Sequence, residues 1–221
     1  MRRHVRTVNP WCVDEGDRWF RRNRATLGVG YDPVLELLRM QRIVPQRVCE
    51  IGCSNGYRLA ALHKEHGCTV IGVEPSRAAI RDGRRRWPFI TFIRAAGDTF
   101  SLRTPVDLVI VHFVLLWVPR HRLLKTVERI DAAVADGGYL VIGDFGVEGF
   151  IKRRYHHRPH DDLWTYKQYY PAVFTASGMY REIGLLRFDH DARVPIADIR
   201  TETMGTVTLL KKQELYVEQR E

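Results

Sequence analysis

Two carboxylates stand at the ends of successive strand-like runs. Glu50 precedes a small, glycine-bracketed loop in Val48-Cys49-Glu50-Ile51-Gly52-Cys53-Ser54-Asn55-Gly56-Tyr57, and Glu74 closes Cys68-Thr69-Val70-Ile71-Gly72-Val73-Glu74. A strand, a tight loop and a helix, followed by a second strand ending on an acid, is how Rossmann-like sheets hold an adenosine. The loop decides between ligands. A dinucleotide fingerprint needs Gly-x-Gly-x-x-Gly, so that the backbone can approach a pyrophosphate. Here Cys53-Ser54-Asn55 fill the gap between Gly52 and Gly56, so the middle glycine is missing. Glu50 would repel a pyrophosphate and suits a ligand carrying an ammonium group. The competing readings are a nicotinamide-dependent oxidoreductase and a plain α/β turn. For Glu74 the plain alternative is a charge at the N-terminus of the helix that opens at Pro75-Ser76.

Other residues could handle protons. His112 ends a strand where the ligand crevice of such a fold opens, and it reads either as a base or as a pocket wall. Tyr155-His156-His157-Arg158-Pro159-His160-Asp161-Asp162 admits three readings. One is a metal site, although adjacent His156 and His157 cannot easily face one ion. Another is a solvated polar loop. The third is a substrate-facing loop that supplies a base, with Tyr166, Tyr169 and Tyr170 adding rings that stack on a sugar or base.

Elements must position these groups. Residues 11–40 read as helical, with Asp14 or Asp17 as a cap, a break at Gly28-Val29-Gly30 and a second start at Asp32-Pro33 that puts Val34, Leu37 and Leu38 on one face. Strands are expected at 47–51, 68–74, 89–95, 107–113 and 139–144. Helices are expected at about 56–66, from Pro75-Ser76 to about Trp87, and at about 120–135. Asp136-Gly137-Gly138 is a turn. Strands alternating with helices predict a doubly wound, mostly parallel sheet of seven strands. A helix near 171–177 and runs at Met179–His190 and Met204–Lys212 close the chain, the two runs pairing antiparallel at the sheet edge. The whole of 1–221 reads as one domain, with 1–44 a helical cap and 146–171 a substrate-side insertion.

Composition narrows the class. The chain has 221 residues, 45% of them hydrophobic, which suits one α/β domain with a full core. No apolar run reaches the ~20 residues of a membrane span, and no apolar signal region follows the basic start Met1-Arg2-Arg3-His4. A soluble cytoplasmic protein is expected. Cys12, Cys49, Cys53 and Cys68 form no Cys-x-x-Cys pair and read as reduced thiols. The net charge of +9 concentrates in Arg84-Arg85-Arg86 and Lys152-Arg153-Arg154. A basic surface can serve nucleic acid, an anionic small molecule or solubility alone.

The segment from Glu50 to Gly56 resembles motif I of the class I S-adenosylmethionine-dependent methyltransferases. Phe113-Val114-Leu115-Leu116-Trp117-Val118-Pro119 and Asp136-Gly137-Gly138-Tyr139-Leu140 are similar to the corresponding parts of the ubiquinone-biosynthesis and trans-aconitate types. The resemblance covers about residues 45–145. Outside it, Trp19-Phe20-x-x-Asn23 and Tyr155-His156-His157 are similar to bacterial small-molecule and sugar-pathway members. The resemblance implies S-adenosylmethionine as cofactor and S-adenosylhomocysteine as product. It implies that Gly52, Cys53, Ser54, Asn55 and Gly56 pass the methionine moiety and that Glu50 lies near its amino end. Glu74 would accept the ribose hydroxyls. Asp98 would stand on the adenine side, although the family's acid often falls where this chain has Ala96. His112 would contact the cofactor or act as a base. No metal is implied.

Methyl transfer from a sulfonium is an in-line displacement, so the protein must chiefly align donor and acceptor. A hydroxyl acceptor also needs a base; the candidates are His112, Tyr155, His156, His157 and Tyr166. The chain lacks the Asn/Asp-Pro-Pro-Tyr of amino-directed members and a Pro-Cys nucleophile. The expected reaction is therefore O-methylation of a small molecule, a sugar or secondary metabolite, with the arginines suiting an anionic one. The alternatives are an RNA methyltransferase and a non-catalytic cofactor-binding protein.

Overall fold

A computed structural model describes residues 14–197 and 203–214. Cys12 and the basic start of the chain lie outside the described residues.

The sheet is built from β1 (Arg47–Ile51), β2 (Thr69–Val73), β3 (Thr91–Ile93), β4 (Val106–His112), β5 (Val134–Phe145), β8 (Tyr180–Asp189), β9 (Val194–Pro195) and β10 (Met204–Lys212). Their order is β3-β2-β1-β4-β5-β10-β8-β9. β1 to β5 run parallel, and β10 is antiparallel to both β5 and β8. Two strands are reversed: β10, between β5 and β8, and β9, antiparallel to β8 at the sheet edge as expected. The two-residue β9 adds an eighth strand to the seven expected. Asp136-Gly137-Gly138 turns within β5: Val106 pairs with Val134, Leu108 with Tyr139, and the residues between them loop out.

Burial on both faces explains the apolar runs of the parallel strands. Side chains alternate between two cores. Val48, Leu108 and Ile110 pack with Leu37 and Leu38 of α2 (Pro33–Met40) and with Leu59 and Leu62 of α3 (Tyr57–His66). Cys49, Ile51, Val109 and Val111 pack with Leu123 and Ile130 of α5 (Arg120–Ala133) and with Phe174 of α6 (Pro171–Thr175). Cys49, Cys53 and Cys68 are buried free thiols.

Helix starts follow local chemistry. Asp32 caps α2, its Oδ1 accepting from Val34 N at 3.0 Å and Leu35 N at 3.2 Å, with Pro33 in the first turn. Ser76 caps α4 (Arg77–Arg86), accepting from Ala79 N. Asp17 does not cap α1 (Gly16–Asn23). It reaches across to the start of α4, where its Oδ1 accepts from Ser76 Oγ at 2.5 Å and Ala78 N at 3.1 Å. That bond docks α1 over the sheet's carboxyl end.

The segment 146–171, without a clear period in sequence, forms an antiparallel ribbon of β6 (Ile151–Arg154) and β7 (Trp164–Lys167). Its alternation sorts side chains. Lys152 and Arg154 lie over the Trp164 ring on one face, at 4.1 and 4.5 Å from the ring centre. Thr165 and Lys167 take the other face and line the crevice. No described helix is long and apolar enough to cross a membrane.

Candidate functional site

A cavity of about 760 Å³ opens at the carboxyl ends of β1, β2, β4 and β5. The strand order reverses between β1 and β4, where open α/β sheets bind ligands. α1 roofs it through Trp19, Phe20 and Asn23, and the β6–β7 ribbon walls it.

The loop after β1 is held from below. Gly52 has φ +72° and donates to Val73 O at 2.7 Å; a Cβ there would stand 2.3 Å from Val114 Cγ2. Glu74 is buried and binds two amides: Oε2 accepts from Ser54 N and Oε1 from Ser76 N, each at 2.8 Å. Burial pushes its carboxyl up to about 7, against those two hydrogen bonds. Glu50 is also pushed up to about 7 by burial, with Arg58 opposing.

The loop residues divide. Gly52, Cys53 and Ser54 line the cavity. The Cys53 thiol turns beneath, so close to β2 that a Cβ on Gly72 would stand 2.5 Å from it. Asn55 and Gly56, read as cofactor residues, do not line the cavity. The Asn55 amide instead donates to Asp82 of α4 at 2.9 Å. Gly56, at φ +78°, precedes α3 and leaves no room for a Cβ beside Ile90.

Arg58, which the sequence reading passed over, is the buried hub of the floor. Its Nε lies 3.0 Å from Asp32 Oδ2, Nη1 donates to Glu50 Oε1, and Nη2 donates to the Tyr57 hydroxyl at 3.0 Å. Nη2 also meets His112 Nδ1 at 3.0 Å. A guanidinium has no acceptor, so Nδ1 accepts and the imidazole proton sits on Nε2. Burial, reinforced by the Arg58 charge, brings His112 down to about 3, and the ring is neutral. The available signal was an arginine in the first turn after the loop, on a helix face carrying Leu59 and Leu62, where a cation needs a buried carboxylate.

Asp98 lines the cavity and pairs with Arg122 Nε at 2.6 Å. Tyr155, His156 and His157 also line it. The Tyr155 hydroxyl accepts from Arg22 Nη2 at 2.8 Å, and burial lifts its phenol to about 12. His156 and His157 lie with ring centres 4.0 Å apart, and burial and the neighbouring His156 lower His157. Tyr166 does not line the cavity. Strand alternation puts it on the outer face with Trp164, where Lys152 lies 5.8 Å from its ring centre. Tyr170 is core: its hydroxyl donates to Leu115 O at 2.9 Å. Tyr169 donates to Glu182 at 2.6 Å. Trp117 borders the cavity edge-on to Tyr155, ring centres 4.8 Å apart.

An aromatic cluster went unread. Phe113 follows β4 at φ +54°, and its ring meets Phe145 at 5.0 Å and His190 at 4.7 Å between centres. A bulky residue at positive φ costs on the order of 1–3 kcal/mol and is held by its surroundings. These rings come from the ends of three strands far apart in sequence. Among the described residues, no group of three or more His, Cys, Asp or Glu side chains could hold a metal ion.

Solved structures share this fold. The 1,6-didemethyltoxoflavin-N1-methyltransferase of Burkholderia thailandensis superimposes with a TM-score of 0.67 at 16% identity, over 88% of this chain and 83% of that one. The N-methyltransferase NodS of Bradyrhizobium japonicum gives 0.62 at 17%, over 91% of this chain and all of that one. Among curated proteins, the trans-aconitate 2-methyltransferase of Methylobacterium nodulans is 31% identical over 114 residues, 50% of this chain and 43% of its own length. That of Rhodopseudomonas palustris is 34% identical over 99 residues, 44% of this chain and 38% of its own. The match therefore spans less than half the length of these relatives. A family model described as a methyltransferase domain matches residues 19–181. The chain belongs to that methyltransferase-domain family, within the class I superfamily whose cofactor is S-adenosylmethionine.

Proposed function

We propose that the protein transfers a methyl group from S-adenosylmethionine to an oxygen of a small, anionic metabolite. The observation that carries this is the division of the crevice by charge. Glu50, Glu74 and Asp98 lie toward β1 and β2, with Arg58 and Arg122 held in ion pairs. Arg153, Arg154 and Lys167 of the ribbon, Lys167 over the Phe145 ring at the end of β5, line the other wall with His156, His157 and His190, while Arg193, bonded to Thr26 O and Val29 O, and Asp191 follow β8. A cationic ligand suits the first side and an anionic one the second. The relatives named for trans-aconitate, an acid anion, agree with this reading.

The residues at the first side fit the cofactor. Glu50 Oε2, Ser54 Oγ and His112 Nε2 are buried without a hydrogen-bond partner among the described residues, and such atoms call for a polar ligand. Each Glu74 oxygen keeps a lone pair for a ribose hydroxyl. Glu50 would face the ammonium group, and Asp98 with Arg122 would bound the adenine. When bound, S-adenosylmethionine supplies an electrophilic methyl on a cationic sulfur.

The acceptor wall is the segment 146–171, closed by the N-terminal helices within one functional unit. Among the five groups considered for proton removal, Tyr166 faces away. His112 has Nδ1 occupied, and Tyr155 keeps its proton to about pH 12. His156 and His157 remain in reach of the cavity. An acceptor oxygen that is already ionised at neutral pH needs neither, and alignment alone then carries the rate.

Calorimetry with S-adenosylhomocysteine, followed by methyl-label transfer to a panel of carboxylic acids, phenols, sugars and RNA, tests this. Binding with transfer to small acids supports it. Salt-sensitive transfer to RNA makes the protein a nucleic-acid enzyme. Binding without turnover on the whole panel makes it a cofactor-binding protein. NADH binding without S-adenosylhomocysteine binding returns the oxidoreductase reading.

A further inference from the structure

His190 enters the crevice from the end of β8. Its amide donates to Thr203 O at 2.8 Å. The turn around it is wound on Asp189, whose Oδ1 accepts from Asp191 N at 2.9 Å and Ala192 N at 2.7 Å and whose Oδ2 accepts from Thr203 Oγ1 at 2.8 Å. The backbone is thus fixed on both sides of the imidazole. The ring stands edge-on to Phe113 and Phe145, centres 4.7 and 5.2 Å away. Phe113 is the first residue past β4, beside the reversal of strand order where ligands bind. Neither nitrogen of the ring has a hydrogen-bond partner among the described residues. Charged groups act on it from β7 and from its own turn. Burial lowers its pKa from the ordinary 6.5; Arg193 and Lys167 add to that, and Asp191 and Asp189 oppose it. His112, whose ring also packs on Phe113, is neutral. His190 is therefore a neutral imidazole at pH 7, with a lone pair that no described group occupies.

The other imidazoles of the cavity are placed differently. The Nδ1 of His112 already accepts from Arg58. His156 and His157 stand against Tyr155, which α1 holds through Arg22. A neutral base near the Lys167 ammonium, which sits 3.6 Å over the Phe145 ring, suits an oxygen that gives up a proton and gains negative charge. A carboxylate has no proton to give at neutral pH. We propose that His190 is the catalytic base for an acceptor hydroxyl, and that the substrate is a hydroxy acid methylated on that hydroxyl, its acid group toward Arg153 and Lys167 on the inner face of the ribbon. This rests on the cofactor reading above. His190 takes the hydroxyl proton on its open nitrogen. The oxygen pair so freed forms the bond to the methyl carbon, and the pair of the breaking carbon–sulfur bond stays on sulfur. The imidazolium returns its proton to water, which reaches the exposed residue through the open cavity.

Methyl-label transfer is measured on hydroxy acids, each beside the same acid without its hydroxyl: 4-hydroxybenzoate with benzoate, lactate with propionate. Transfer should fall on the hydroxy acids; transfer to the plain acids as well, or to none of the four, overturns the proposal. His190→Gln should lower kcat on the accepted hydroxy acid about 100-fold or more with KM within about threefold, and added imidazole should restore part of the rate. The wild-type kcat should be flat from about pH 7 to 9, whereas that of the variant should climb with pH as hydroxide replaces the base. An unchanged kcat, or a loss confined to KM, overturns the proposal. A readout without turnover covers a variant that fails to fold. In the wild-type complex with S-adenosylhomocysteine, the NMR signal of the His190 ring should titrate below pH 6.5 and shift when the hydroxy acid is added, but not with the plain acid. A ring indifferent to the hydroxyl overturns the proposal. If S-adenosylhomocysteine does not bind the wild-type protein in calorimetry, the cofactor reading itself fails, a result distinct from the others.

Discussion

The amide of Ser54 donates to Glu74 Oε2 at 2.8 Å, so the loop after β1 is fastened to the acid that ends β2. Ser54 takes a positive φ of 53°, a conformation that costs a non-glycine residue energy. The Glu74 carboxylate accepts the amide that this turn presents. Loop shape and the proposed ribose recognition therefore depend on one side chain.

Glu74→Ala should accordingly do two things. It should weaken S-adenosylhomocysteine binding by roughly 10–100-fold, the loss of charge-assisted hydrogen bonds of about 1.5–3 kcal/mol. It should also lower the melting temperature, because the buried Ser54 and Ser76 amides lose their acceptor. Calorimetry and thermal unfolding read the two separately. An unchanged affinity in a folded variant would remove Glu74 from the ribose role.

Gly52→Ala tests the loop from its other side. The added Cβ would meet Val114 Cγ2 at 2.3 Å, at φ +72°. A destabilisation of about 1–3 kcal/mol is expected from crowding and backbone strain together. Val114→Ala removes the atom that clashes, so the double variant should recover part of the loss in urea unfolding. No recovery would assign the whole cost to the backbone.

The local half of this site was legible in sequence. Strand one at 47–51, the acids Glu50 and Glu74 and the cap at Asp32 depend on neighbours within a turn or a strand, and the structure has them where the pattern puts them. What escaped depends on distant pairing. Arg58 is informative only once β4 brings His112 beside it, 54 residues on. The side of Tyr166 is set by the register Lys152↔Tyr166, which polar residues without a periodic pattern do not fix. Asn55 fits a cofactor loop by type, yet its amide is claimed by Asp82 of the following helix.

The roof is held by charges that arrive from both sides. Glu15 is fully buried; its Oε1 accepts from Arg22 and its Oε2 lies 3.3 Å from Arg158 Nη1, which also reaches Asp14 at 2.7 Å. Arg22 in turn donates to Tyr155. α1 and the loop of the ribbon are joined at this cluster. Glu15→Ala takes from Arg22 its carboxylate partner and from Arg158 one of three, so the link between α1 and the ribbon loop is weakened. Limited trypsin digestion should cut that variant sooner at Arg153 and Arg154 than the wild type, while Glu128→Ala, whose partner is the adjacent Arg129 on the outer face of α5, should cut at the wild-type rate. Equal cleavage of all three proteins would mean that other contacts hold the roof.

His112 makes stability depend on pH in a defined direction. In the fold its pKa is depressed to about 3 by burial and by Arg58, against an ordinary value of 6.5. Below pH 6.5 the unfolded chain binds a proton that the folded chain refuses. Stability from this group is complete above that pH and falls by up to about 1.4 kcal/mol per unit as pH drops toward 3. Glu50 and Glu74 act oppositely: burial raises both to about 7, so the folded form takes up their protons first and gains stability as pH falls from 7 toward 4.5. The two trends overlap, and the wild-type curve alone cannot separate them. His112→Leu removes the first and keeps the second. Its stability relative to wild type should rise by about 2–3 kcal/mol between pH 7.5 and 4.5 in urea unfolding. A constant difference across that range would mean that the imidazole titrates alike in both states, and that Arg58 does not hold it neutral.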